Sequence, residues 1–135
     1  MATQIVIANG EAIHIDGTFH IEWADKGNAM PSLPDTIHYV VWNSQAGQNE
    51  VQHKDVSTNN MTSNTDLNAT SDAVGSTTIS DLLTWAETRK AEITAAKSEH
   101  MTARGNASDA WVDAGNERDT FEWTKTWDEY DPNYS

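Results

Sequence analysis

The stretch "QIVIANGEAIHIDGTFHIEW", residues 4–23, carries two hairpin signals in twenty residues. Asn9-Gly10 and Asp16-Gly17 each interrupt a run in which apolar and polar residues alternate, the strongest short-range mark of an antiparallel turn. The alternation also sets the loop length. A two-residue turn at Asp16-Gly17 would pair Ile13 with His20 and Ala12 with Ile21, mixing apolar and polar groups on one face. A three-residue loop with Gly17 left-handed pairs Ile15 with Phe19 and Ile13 with Ile21. The same loop length around Asn9-Gly10-Glu11 pairs Ile7 with Ile13 and Ile5 with Ile15, so the sequence predicts bulged three-residue turns in both places.

Beyond the irregular, proline-punctuated segment 24–36, "IHYVVWNSQAGQNEVQH" (37–53) reads as a second hairpin whose loop centres on Ala46-Gly47. Its first strand is unusual. Ile37, Tyr39 and Val41 fall on one face and Val40 and Trp42 on the other, whereas a half-wetted antiparallel strand hides a single apolar face. A neighbouring subunit, the 79–102 helix, or one on each side is expected to cover the second face. Residues 54–78 are polar and nearly free of core residues, and they read as a long loop or linker. Thr78 and Asp81 then form an acidic capping box for a helix carrying Ile79, Leu82, Leu83, Ala86 and Ile93. Arg104-Gly105-Asn106 reads as a break, with Ser108-Asp109 capping a second helix. The expected fold is α+β: an antiparallel β domain over 1–53, a polar linker over 54–78, and one or two helices with an aromatic end over 79–135.

Composition narrows the function. Only 21 of 135 residues are Ile, Leu, Val or Phe, and the formal net charge is -13, so the core is thin and self-repulsion is high. Six tryptophans offset part of that deficit, and sharing a core with another chain would offset more. Eight Lys and Arg against 21 Asp and Glu argue against binding nucleic acid. The absence of cysteine excludes disulfides and thiolate chemistry. No signal-peptide pattern and no membrane-length apolar run is expected. His14 and His20 stand opposite each other near Glu22, a pair of imidazoles and a carboxylate that could hold zinc, though exposed strand residues are the simpler account. The acidic pairs Asp113/Glu117 and Asp128/Glu129/Asp131 read as solvated charge. No phosphate loop, nucleophile elbow or metalloprotease motif occurs, so no catalytic, cofactor-binding or metal-binding residue is assigned and no small-molecule substrate is expected.

The aromatic end is the sharpest feature. Trp111, Phe121, Trp123, Trp127, Tyr130 and Tyr134 fall within 24 residues. Trp111 and Phe121 are expected against the sheet, while Trp123, Trp127 and Tyr130 are expected to face a partner, since tryptophan and tyrosine dominate interface hot spots. With Ile37, Tyr39 and Trp42 they make up the candidate partner interface.

Taken together, Asp16-Gly17, Ile37-His38-Val40-Trp42, Gly47, Glu50-Val51 and the helix around Trp85 resemble small proteins of tailed bacteriophages, the tail and tail assembly chaperone-like proteins. The resemblance spans 11–53 and 79–95. The long 54–78 segment and the aromatic end depart from that pattern and look like material for docking. What the resemblance implies is a non-enzymatic structural protein of the virion, tail- or tail-fibre-associated, assembled in the host cytoplasm with other phage structural proteins as a homo-oligomer or hetero-assembly. The alternatives are a tail-fibre assembly chaperone and a capsid-decorating protein.

Overall fold

Strands β1 (Gln4–Ala8), β2 (Ala12–Ile15) and β3 (Phe19–Glu22) form a meander in which Ile5 faces Ile15, Ile7 faces Ile13, Ile13 faces Ile21 and Ile15 faces Phe19. Both connections are the three-residue loops that the alternation requires. Gly17 has φ 80 and Gly10 φ 85, the left-handed backbone that lets each loop close, and Asp16 joins it at φ 52. The structure, a computed structural model, describes residues 2–134. They form two compact units, Met1–Lys90 and Ala91–Ser135.

The first unit is built on one sheet of six strands in the order β3-β2-β1-β4-β5-β6, every neighbouring pair antiparallel. Strand β4 (Ile37–Asn43) pairs with β1, and β5 (Glu50–Lys54) follows through a loop containing Gly47. The sixth strand corrects the reading of 54–78 as a long loop or linker. Met61–Asp66 is β6, paired with β5 from Glu50 opposite Asp66 to Lys54 opposite Met61. A second correction lies just beyond it, where β7 (Ala73–Val74) and β8 (Thr77–Thr78) make a small separate hairpin. Its turn is pinned to the proline-rich connection: a Cβ on Gly75 would sit 2.7 Å from Pro34 Cγ, and the Thr77 hydroxyl donates to the Ser32 carbonyl at 2.8 Å.

Helix α1 (Ile79–Asp113) opens at the predicted cap. The Asp81 N–H donates to Thr78 Oγ1 at 3.1 Å and the Thr78 N–H reaches Asp81 Oδ2 at 3.4 Å. Its first turns bury Ile79, Leu82, Leu83 and Ala86, completing the core whose sheet side is Ile5, Ile7, Ile13, Ile15, Ile21, Val40 and Val51. Two side chains tie helix to sheet loops. Lys90 Nζ donates to Asp16 Oδ2 at 2.7 Å, and the buried Arg89 donates from Nε and Nη2 to the Asp25 carbonyl at 3.0 and 2.8 Å. Asp16 Oδ1 in turn accepts the Thr3 and Gln4 N–H groups, at 3.0 and 3.2 Å.

The break expected at Arg104-Gly105-Asn106 does not occur; a single helix of 35 residues runs through it, about 52 Å long at 1.5 Å per residue. One glycine costs a helix only about 1 kcal/mol relative to alanine, and the strong helix formers on either side outweigh it. The true stop is Gly115 at φ 94. Its N–H donates to Val112 O at 2.9 Å and the Asn116 N–H donates to Trp111 O at 3.3 Å, the paired bonds of a Schellman ending.

Candidate functional site

The question raised by β4 is answered by a bulge. Ile37 faces His53 and Tyr39 faces Gln52, so two positions of β4 match one step of β5 and His38 is the extra residue. Past the bulge the pleat changes phase, which brings Ile37, Val40 and Trp42 all into the core, at 3 %, 0 % and 6 % exposure. Two of the six proposed interface residues, Ile37 and Trp42, are therefore corrected to core residues of their own unit. The bulge has a cost: His38 Nδ1 and Trp42 Nε1 are buried side-chain atoms with no hydrogen-bond partner.

Tyr39 remains on the outer face, and the register shows what surrounds it. One row across the sheet runs His20, His14, Val6, Val41, Glu50, Asp66, and the next runs Glu22, Ala12, Ala8, Tyr39, Gln52, Asn64. The centre of this face is an apolar strip of Val6, Ala8, Ala12, Tyr39 and Val41, each half-buried. Carboxylates at Glu22, Glu50 and Asp66 border it, and neither row contains Lys or Arg. Along one end His20 Nδ1 lies 2.8 Å from His14 Nε2 and His20 Nε2 lies 3.0 Å from Glu22 Oε1. These three groups bond to one another in a chain, and among the described residues no cluster of three or more His, Asp or Glu is placed to hold an ion.

The second unit contains the other three predicted contacts. After the Gly115 stop, the segment from a short 3₁₀ turn (Arg118–Thr120) to a second one (Trp127–Tyr130) returns along α1. The Trp123 indole N–H donates to His100 Nε2 at 2.9 Å, Lys97 Nζ sits 5.0 Å from the Trp127 ring centroid, and the Tyr130 ring lies 5.8 Å from that of His100. Trp123, Trp127 and Tyr130 are thus half-buried against their own helix. Trp111 is 38 % exposed and donates to Glu117 O and Thr120 Oγ1, both at 3.1 Å, while Phe121 stacks on Trp123 with centroids 6.3 Å apart.

Sequence reasoning overlooked the helix side of this arrangement. Lys97, His100 and Arg104 follow at intervals of three and four, one stripe of a helix, a spacing that marks them as the surface on which the returning aromatics settle. Two open grooves, of about 460 and 410 Å³, lie between helix and return; Arg104 and Phe121 line both.

Among the described residues no helix is long and apolar enough to cross a membrane. Compared with protein-family models, characterised proteins and solved structures, the chain matches none.

Proposed function

We propose that this chain is a non-enzymatic structural protein of a tailed bacteriophage particle, tail- or tail-fibre-associated, that works by docking onto other subunits. The observation that carries the docking is the outer sheet face, where Val6, Ala8, Ala12, Tyr39 and Val41 form an apolar strip rimmed by acidic groups. A central aromatic on an apolar patch with a charged border is the anatomy of a protein interface. The border has one sign of charge, which favours a partner whose facing rim is basic. The assignment to a tail rests on the resemblance of Asp16-Gly17, Ile37-His38-Val40-Trp42 and the Trp85 helix to small tail proteins.

Mass spectrometry of purified particles tests the retained role: the chain is expected in finished virions, and its absence from them would transfer the same surface to an assembly chaperone. A Tyr39→Arg substitution tests the surface. It leaves the fold intact, because Tyr39 is outside the core, and should weaken incorporation by at least about tenfold if the ring is a hot spot.

A further inference from the structure

The returning segment of the second unit gathers cationic side chains that the two rows of the sheet face lack. Of the eight Lys and Arg in the chain, Arg104, Arg118 and Lys125 line the two grooves that meet at Arg104 and Phe121. His100, Phe121, Trp123 and Trp127 supply aromatic walls, and Ser108 and Thr126 supply hydroxyls. Asp119 is the single carboxylate in the lining, while Arg118 leans toward Asp109 at 3.6 Å and Ser108 Oγ at 3.3 Å. The Arg104 guanidinium makes no hydrogen bond or ion pair among the described residues. A guanidinium with no partner among the described residues, set between aromatic walls, stands out in a protein of net charge -13.

We infer that this groove binds an extended acidic segment of a partner protein, with Arg104 taking a carboxylate bidentately and Phe121 and Trp127 taking apolar side chains on either side. From His100 to Ser108 the helix offers about 12 Å of groove, the span of three to four extended residues. Planar fork geometry suits arginine to a carboxylate, and Lys125 adds a second positive charge along the bound segment. A polyphosphate or nucleic acid fits less well: the groove lies mid-helix, away from the N-terminal dipole end, and a net charge of -13 repels a continuous run of phosphates more strongly than a few spaced carboxylates. This deepens the docking reading by naming the chemistry of one partner, and it can fail while virion incorporation stands.

The test uses the full chain labelled with ¹⁵N, followed through its indole N–H resonances. A hexapeptide alternating glutamate and leucine is titrated at low salt, with its lysine–leucine counterpart and a ten-nucleotide oligothymidine as comparisons. The acidic peptide is expected to shift the Trp123 and Trp127 resonances and leave Trp23, Trp42 and Trp85 in place. Arg104→Gln should weaken that binding about tenfold, while Lys54→Gln leaves it unchanged. Arg104 is an exposed helix residue, so an unchanged melting curve for the variant separates lost binding from lost folding. Absence of the shifts, equal shifts with either comparison ligand, or unaltered affinity in Arg104→Gln would overturn the inference. So would a concentration-dependent shift of the same resonances without peptide, which would make a second copy of the chain the occupant.

Discussion

Asp16 carries more of this structure than its place in a turn suggests. It supplies a left-handed position at φ 52, accepts two backbone N–H groups from the start of β1, and holds Lys90. The Lys90 hydrogen bond is the main reason its carboxyl is held down to about 2 from an ordinary 3.8; partial burial opposes the shift and the Thr3 and Gln4 N–H groups reinforce it. A depressed carboxylate stabilises the fold fully above its unfolded value and loses that contribution as pH falls through the folded one. Asp16→Asn, which tolerates the same backbone, should therefore cost about 1–2 kcal/mol at neutral pH, a figure reduced for the pair's partial exposure. The difference should shrink from pH 4 downward and vanish below about pH 2, as urea titrations of both proteins across that range would show. A constant difference would mean that the charge is not what Asp16 contributes. The neighbours Val6 and Ile7 test the pleat in the same way. Ile7→Ala should cost about 2–5 kcal/mol because Ile7 is fully buried, and Val6→Ala under about 1 because it is half in water. Equal costs in denaturation would contradict the register.

Among the elements, α1 shows how far composition and spacing carry. Its start is written in Thr78 and Asp81, and its buried stripe in Ile79, Leu82, Leu83, Ala86 and Ile93. Its end is harder to read, because two glycines compete and only one has the backbone of a stop. Gly105 is helical with nothing within 4 Å of a would-be Cβ, whereas Gly115 stands at φ 94. Gly105→Ala is expected to stabilise the helix by about 0.5–1 kcal/mol, and Gly115→Ala to destabilise it by about 1 kcal/mol. Thermal melts followed by circular dichroism discriminate these, and a stabilising Gly115→Ala would remove the Schellman ending. Strand β6 is the converse case. All six of its side chains are exposed, so it has no apolar face to alternate; it exists through the backbone ladder to β5. Side-chain patterning cannot announce a strand whose side chains bury nothing.

For the molecule as a whole, the distribution of charge is the feature with functional weight. The outer sheet face is apolar with an acidic border, and the grooves of the second unit are lined by Arg104, Arg118 and Lys125 between aromatic walls. Two surfaces of opposite chemistry suit a subunit that holds two different neighbours, and salt should act on both through screening. Raising ionic strength from about 0.05 to 0.5 M is expected to weaken acidic-peptide binding at the groove several-fold, while Tyr39-dependent incorporation changes less, because apolar burial is indifferent to screening. Binding assays at the two salt levels check this; equal sensitivity would mean that the sheet face acts through its carboxylates.

Much of this protein is legible in its residues alone: the α+β class, both three-residue turns with their pairings, and the cap of the helix. Each is local, resting on alternation, on glycine's access to positive φ, or on a hydroxyl and a carboxylate three residues apart. What needed the folded chain is whatever depends on partners distant in sequence. The bulge at His38 is forced by the pairing of β4 with β5, and it moves Ile37 and Trp42 from a supposed interface into the core. β6 is a strand because β5 presents an open edge to it. The aromatic end settles on Lys97 and His100 because the chain reverses at Gly115, which brings residues some twenty-five positions apart into contact.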